Sequence, residues 1–199
     1  MRVRAFVFVI ALLGFPVVAH AQDFGVMESA ETIDRGNFKL KANPMILFGR
    51  HGGDGETGVG LVVGYGFTPR FDVEGGVALY DGVQFFGGTA EYWLIKDAAF
   101  DLSLTGGLHV RRGDQTADMT GVDITVLASK HVGPRLELYG ALDLAFESIE
   151  GGGDFRTVHI VPGLEFRLGP DLDFVAELGL AANDNGRHYV SAGLAYYFR

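Results

Sequence analysis

Charged side chains alternate with apolar ones along several stretches of this sequence. Between Leu172 and Leu180, for example, Asp173 and Glu177 share one parity while leucine, phenylalanine and alanine share the other. Because successive side chains of a β-strand point to opposite faces, this spacing collects the charges on one face. Lining the inside of a barrel, such a face could conduct cations, bind a small polar solute or form a filled network of ion pairs.

Acidic residues dominate the charged face. Its members are Lys39, Lys41, Asp72, Glu74, Glu91, Asp101, Arg111, Glu137, Asp143, Glu165, Arg167, Asp173 and Glu177, accompanied by His109, Asp123, Glu147 and His159. An excess of carboxylates attracts cations and repels anions, so an open lumen is predicted to prefer cations. A filled, structural lumen is the other interpretation, because small barrels are packed by their own side chains.

Two pairs of residues are the candidates for catalysis: His188 with Ser191, and His159 with Glu147. A hydrolase or acyltransferase needs a nucleophile, a base and an orienting group within hydrogen-bond reach. Residues three apart on a strand point to opposite faces, which separates His188 from Ser191, and no local motif supports the second pair. We therefore predict no catalytic residues. A lipid-modifying enzyme of the deacylase or acyltransferase class, with its site near the outer rim, is the alternative.

The sequence contains no cofactor motif and no recognisable metal motif. Three loops, at 52–56, 150–154 and 183–186, carry the oxygen ligands that Ca²⁺ prefers, but none has the spacing of a calcium loop. Glycine with asparagine or aspartate is first a turn signal. We interpret these loops as turns and predict neither a metal nor a cofactor.

The N-terminus has the three parts of a secretory signal peptide. Arg2 and Arg4 precede an apolar run over 5–18, and a small-x-small triplet follows at 19–21. The run is too short for a membrane-spanning helix, which needs about 20 residues. We predict that residues 1–21 are a cleaved signal peptide.

The remaining chain is predicted to form a closed, antiparallel, up-and-down transmembrane β-barrel. No later segment is apolar for long enough to span a bilayer as a helix, and a closed barrel is the other structure that pairs every backbone group in lipid. Period-two patterning interrupted by Gly, Pro, Asp and Asn predicts ten strands, with eight as the alternative. They cover 37–49, 56–67, 71–80, 84–95, 100–111, 119–131, 135–147, 156–168, 171–182 and 188–198.

Period two alone does not decide which face points inward. A soluble lipocalin-like barrel would enclose the apolar face, whereas a membrane barrel exposes it to lipid. Long strands, aromatic residues near strand ends, and alternation of long with short connections favour the membrane barrel. The domains are then a short acidic periplasmic lead-in over 22–36, either a tail or a partial plug, and the barrel over 37–199. Pro44 and Pro162 fall inside predicted strands, which predicts bulges or bends there.

Three segments resemble small outer-membrane barrels of Gram-negative bacteria. The turn from Tyr65 to Val73 is similar to their tight periplasmic turns, and residues 28–40 resemble the lead-in of outer-membrane transporters. The last strand, with Tyr196 and Phe198, is similar to their C-terminal assembly signal, although that signal ends on its aromatic residue and here one arginine follows. The resemblance is to OmpA/OmpX-like or small transporter-type, porin-like barrels. It implies an outer-membrane location, lipid and lipopolysaccharide as surroundings, and periplasmic chaperones and the barrel insertion machinery as partners.

Composition excludes some functions. The formal net charge is −9, and removing the two arginines of the signal peptide makes it more negative. Nucleic-acid binding needs a basic surface, so we predict none. The chain has no cysteine, so an exported protein of this sequence is not stabilised by disulfides. The oligomeric state is left open.

Overall fold

A computed structural model describes residues 25–49, 55–80, 82–96, 98–113 and 117–199, and the predicted signal peptide lies outside them. The prediction of ten strands is confirmed. They are β1 (Phe38–Leu47), β2 (Glu56–Thr68), β3 (Phe71–Tyr80), β4 (Val83–Ile95), β5 (Asp101–Gly113), β6 (Met119–His131), β7 (Leu136–Ile149), β8 (Asp154–Arg167), β9 (Leu172–Ala181) and β10 (Tyr189–Phe198). The described part of the chain contains no helix that is long and apolar enough to span a membrane.

The ten strands form one closed antiparallel sheet in which each strand pairs with its neighbours in sequence, and β1 pairs with β10. At the closing seam, Lys39 lies opposite Tyr197 and Ile46 opposite Val190. Closure leaves no strand edge with unpaired backbone groups, which is the condition for crossing lipid. The predicted up-and-down barrel is confirmed.

Burial alternates along each strand and settles which face points inward. In β7, Glu137 and Asp143 are buried at 3% exposure, whereas Leu138, Leu142 and Phe146 are 45–50% exposed. The apolar face is therefore outside and the charged face inside. This is the arrangement of a membrane barrel and the reverse of a lipocalin-like barrel.

The two ends of the barrel differ. The end that carries residues 69–70, 132–135 and 168–171, together with the C-terminus, is called the N-terminal mouth because β1 starts there. The opposite end, with residues 150–153 and 182–188, is called the far mouth.

Aromatic side chains cluster at the closing seam near the N-terminal mouth. The ring of Phe38 lies 4.8 Å from that of Tyr65 and 5.6 Å from that of Phe198, measured between centroids. Tyr196 stacks on Phe198 at 6.0 Å. Aromatic rings concentrate at the membrane–water interface of such barrels because one end is apolar and the other polar.

The two prolines interrupt pairing without shifting register. Pro44 lies opposite Val59 of β2, and the register of β1 with β10 is the same before and after it. Pro162 lies opposite Gly140 of β7, and the register of β8 with β9 likewise continues. The register shifts lie instead near the N-terminal mouth, between Gly66 and Thr68 and between Trp93 and Ile95. Of the predicted bulges or bends at the prolines, bulges are therefore wrong, because losing one donor removes ladder bonds on one side only, and bends stay a prediction.

A charge on the outer face is expected to destabilise the folded barrel in lipid. Leu108, in the middle of β5, is 57% exposed. Leu108→Lys should lower the free energy of unfolding in lipid vesicles by about 2–4 kcal/mol, because a lysine there must be desolvated. Leu168→Lys, in the connection between β8 and β9, is the matched control and should cost at most about 1 kcal/mol. Equal, small effects in denaturant titrations would contradict a lipid-facing exterior.

Candidate functional site

Residues Gly25 to Ile33 run inside the barrel, and we call them the plug segment. The segment begins beside Glu177, in the middle of β9, and ends beside Asp72, close to the N-terminal mouth. Met27 and Ile33 are buried at 1% and 3% exposure. The sequence left open whether residues 22–36 form a tail or a partial plug, and their described part from residue 25 to 33 lies in the lumen.

Main-chain hydrogen bonds join the chain to β2 where it turns from the plug segment into β1. The amide of Gly36 donates to the carbonyl of Gly66 at 2.8 Å, and the amide of Gly66 donates to the carbonyl of Asn37 at 3.1 Å. Arg35 also bridges to Gly66 in a parallel sense. The plug segment is therefore fixed at its C-terminal end by the sheet itself.

The carboxylate of Glu177 holds the other end of the plug segment. It accepts hydrogen bonds from the amides of Val26 at 2.8 Å and Met27 at 2.6 Å. It also accepts from the hydroxyls of Tyr139 at 2.7 Å and Tyr189 at 2.9 Å. Four donors satisfy this buried carboxylate, and the positive charge of Lys41 also acts on it. Hydrogen bonds to a charged acceptor are stronger than neutral ones.

Two glycines let the tyrosine rings lie flat against the barrel wall. Tyr139 is paired across strands with Gly163, and Tyr189 with Gly179. A Cβ at either glycine would meet the ring in a direct clash. The absence of that Cβ places both hydroxyls where they reach Glu177.

Two further wall residues bind main-chain amides of the plug segment. The amide of Ala30 donates to Ser129 Oγ at 3.1 Å, and that of Ile33 donates to Asp72 Oδ2 at 2.6 Å. Together with Glu177, these acceptors lie on β3, β6 and β9, which are spaced around the barrel. Contacts on separate sides hold the plug segment away from any single wall.

A group of four charged side chains joins the plug segment to the wall: Glu28 belongs to the segment, Lys39 and Lys41 to β1, and Glu74 to β3. Lys39 pairs with Glu74 and with Glu28, the latter at 3.5 Å. Lys41 lies 3.4 Å from Glu74 and donates to the carbonyl of Met27 at 3.2 Å. Burial, and the carboxylate of Glu74 beside it, raise the pKa of Glu28 to about 7 in spite of the two lysines. Removing one partner from such a group leaves a buried charge without compensation.

A second polar network occupies the half of the lumen toward the far mouth. His109 Nδ1 is 2.5 Å from Asp123 Oδ2, and its Nε2 is 3.8 Å from Glu147. Thr125 donates to Asp143 at 2.7 Å. Polar partners thus pair across neighbouring strands on the inner face, as expected where charged groups leave water.

Little open space remains beside these groups. A cavity of about 40 Å³ lies next to the plug segment and is lined by Glu28, Lys41 and Asp143. A second cavity of about 100 Å³ lies at the far mouth, between Arg111 and His159. Cavities of this size hold a few water molecules, so the space beside the plug segment offers no wide path. An open cavity of about 1190 Å³ also lies at the far-mouth end of β6, β7 and β8, lined by outer-face Val122 and Phe146 and by inner-face Glu147.

The comparisons with known proteins give structural matches only. No family model and no curated protein matches the sequence. An outer membrane channel from Pseudomonas putida F1 is 11% identical, with a TM-score of 0.56 over 90% of this chain and 99% of that one. A bacterial polysaccharide outer membrane secretin is 13% identical, with a TM-score of 0.50 over 82% of this chain and 66% of that one. The KdgM porin is 12% identical, with a TM-score of 0.48 over 81% and 99%.

The chain has the fold of a small outer-membrane β-barrel protein. At these identities the likeness concerns the fold alone, and the site has to be argued from its own residues.

In this outer-membrane-type barrel, most of the residues predicted to line the lumen are buried. Buried residues are Lys39, Lys41, Asp72, Glu91, Asp101, Glu137, Asp143, Asp173 and Glu177, and intermediate ones are Glu74, Arg111 and Glu165. Arg167 differs, because its side chain is 53% exposed at the N-terminal mouth, 3.9 Å from Asp173. Their role as a conduit lining stays a prediction.

The catalytic candidates of this barrel have other partners. Ser191 Oγ donates to the carbonyl of Pro44 at 2.9 Å, whereas His188 Nδ1 accepts from the amide of Ala181 at 3.1 Å. His159 Nε2 is 2.9 Å from the carbonyl of Arg187, and Thr157 lies 3.4 Å from Glu147. Ser191, His188, His159 and Glu147 thus each have a hydrogen-bonding partner other than the residue with which they were paired as catalytic candidates.

Sequence reasoning missed the groups that hold the plug segment. Ser129 and Tyr139 lie on the inner face of β6 and β7 but carry no charge, and the two amides bound to Glu177 are main-chain groups. An alternating pattern assigns a residue to a face, but it does not indicate what a short extended segment binds.

Weakening the Glu177 contact should open the plug segment to reagents. The chain has no cysteine, so Ser29→Cys, at a position 3% exposed, introduces a single thiol. In this background Glu177→Gln should speed reaction with a water-soluble maleimide about ten- to hundredfold, because hydrogen bonds to a charged group contribute about 1.5–3 kcal/mol. Asp34→Cys, at an exposed position, is the control and should react equally in both backgrounds. An unchanged Ser29→Cys rate would show that Glu177 does not hold the segment.

Proposed function

We propose that this protein is an outer-membrane barrel that forms a narrow, cation-preferring passive conduit, closed in the described state by its own plug segment. The observation that carries the proposal is the position of residues 25–33 along the lumen, held by reversible hydrogen bonds. Its apolar exterior suits outer-membrane lipid, including lipopolysaccharide, after export with a cleaved signal peptide and assembly by periplasmic chaperones and the barrel insertion machinery.

Displacing the plug segment would change the charge of the lumen. Glu177 and Asp72 accept main-chain donors of the segment, and Lys41 donates to one of its carbonyls. When the segment leaves, both carboxylates lose donors and turn toward water. The open lumen would then attract cations and repel anions.

A purely structural barrel is the second candidate. It is favoured by the close filling of the lumen beside the plug segment and between Arg111 and His159, where two cavities measure about 40 and 100 Å³. In that case the plug segment stabilises the barrel from inside and never moves. We propose no catalytic activity, since the imidazoles of His159 and His188 are each engaged by a main-chain group of the far mouth.

Single-channel recording in planar bilayers distinguishes the two candidates. We expect the mature chain to give rare, brief openings and a variant lacking residues 22–33 to give long-lived current, because the deletion removes the plug segment. Leu138→Ala, on the outer face, is the control and should behave like the mature chain. Heat-modifiable gel mobility checks that each barrel is folded, and a folded deletion variant without current would support the structural role.

The carboxylates freed by the deletion should set ion selectivity. In the variant lacking residues 22–33, adding Glu177→Gln and Asp72→Asn should reduce the cation-to-anion permeability ratio severalfold, because two negative charges leave the lumen. The ratio is read from the reversal potential in a salt gradient. Asp154→Asn, exposed at the start of β8, is the matched control and should change it little. Anion preference in the parent deletion variant would contradict the proposed conduit.

A further inference from the structure

Three side chains from distant parts of the sequence meet at the N-terminal mouth. His131 Nε2 lies 2.9 Å from Glu31 Oε1 and 3.9 Å from Glu137 Oε2. One ligand atom from each residue lies within 4.8 Å of the other two. Glu31 belongs to the plug segment, whereas His131 and Glu137 face each other across the last pair of β6 and β7. The cluster therefore joins the plug segment to the barrel wall.

The donor set suits a divalent transition-metal ion. Imidazole nitrogen and carboxylate oxygens bind Zn²⁺ at about 2.0–2.2 Å, which places neighbouring ligand atoms of a tetrahedron about 3.3 Å apart. The two observed separations lie on either side of that value, so small side-chain movements complete the geometry. Ca²⁺ and Mg²⁺ prefer oxygen ligands alone, which disfavours them at a site with an imidazole.

Glu137 provides an independent sign that a cation belongs here. Its side chain is 4% exposed, and the hydroxyls of Ser129 and Ser29 are its hydrogen-bonding neighbours, neither of which carries a positive charge. Burial of a carboxylate charge is unfavourable, and a bound cation would compensate it. The carboxylates of Glu165 and Asp173 also interact electrostatically with Glu31, and Arg167 is the opposing positive charge that acts on His131.

We propose that Glu31, His131 and Glu137 bind a divalent transition-metal ion of the Zn²⁺ type, which fastens the plug segment to the barrel wall. His131 is 48% exposed, so solvent can supply the fourth ligand and the ion has a route from the mouth. The proposal that the ion binds depends only on these three side chains. The further proposal, that the bound ion stabilises the closed lumen, rests on the proposed conduit function.

Zinc titration of the refolded mature chain, without any affinity tag, tests the site. With a chromophoric chelator as competitor, we expect one Zn²⁺ per barrel. His131→Ala, Glu31→Gln and Glu137→Gln should each weaken binding at least about tenfold, since each removes a ligand. His188→Ala, an exposed histidine at the far mouth, is the matched control and should bind as the parent does. Unchanged binding by His131→Ala would overturn the site.

Thermal unfolding provides a readout that does not depend on conduction. Zn²⁺ in excess of its Kd should raise the melting temperature of the mature chain, because a ligand of the folded state stabilises it by mass action. The shift should disappear in Glu31→Gln if the plug segment supplies a ligand. If Zn²⁺ raises the melting temperature of Glu31→Gln by the same amount, the plug segment supplies no ligand to the metal site.

Conductance then tests the fastening itself. In Glu177→Gln, where the plug segment is loosened at its other end, micromolar Zn²⁺ should reduce channel opening and a chelator should restore it. The double variant Glu177→Gln with His131→Ala should not respond. If Zn²⁺ binding depends on all three residues but Zn²⁺ does not change channel opening, the metal site stands and the proposal that it fastens the plug segment is overturned. If no variant conducts, the conduit fails, and the titration and melting experiments still decide the metal site.

Discussion

The pairing of β1 with β10 is the constraint on which the rest of this structure depends. A backbone amide or carbonyl left unpaired in lipid is strongly unfavourable, so the sheet has to close on itself. Closure brings the first and last strands together, with Phe38 opposite Phe198 at the N-terminal mouth. It also separates an outer face, where leucine, valine and phenylalanine are exposed, from an inner face that carries the buried charged side chains.

Polar groups of the barrel wall and of the plug segment satisfy each other's hydrogen-bonding and charge requirements. Carboxylates on the wall need donors, and the plug segment is an extended chain whose amides need acceptors. Glu177, Ser129 and Asp72 meet this need at three points around the barrel, while Lys39 and Lys41 compensate Glu74 and Glu28. Some of the excess carboxylates on the inner face thus accept hydrogen bonds from main-chain amides and need no lysine or arginine as a partner.

The same compensation supports the proposal that closure of the lumen is reversible. Hydrogen bonds and ion pairs between the plug segment and the wall exchange for contacts with water when the segment moves, so each contributes only modestly to the net free energy. The carboxylate of Glu177 accepts two main-chain donors of the plug segment, whereas Ser129 and Asp72 accept one each. A metal ion held by Glu31 and the wall would act at the other end of the segment, close to the main-chain hydrogen bond between Gly36 and Gly66.

The sequence by itself determined the strands and their two faces, because alternation of side chains is a local property of an extended backbone. It favoured ten strands but left eight as the alternative, and closure of the sheet decided between them. Strand ends differ by one or two residues, as for β8, which begins at Asp154 instead of residue 156. The tertiary structure alone decided what the inner face binds. Val26 and Glu177 are 151 positions apart, and Glu31 is 100 positions from His131. Such pairs meet only because barrel closure fixes every strand around one axis and the plug segment enters along it, and no local pattern records that geometry.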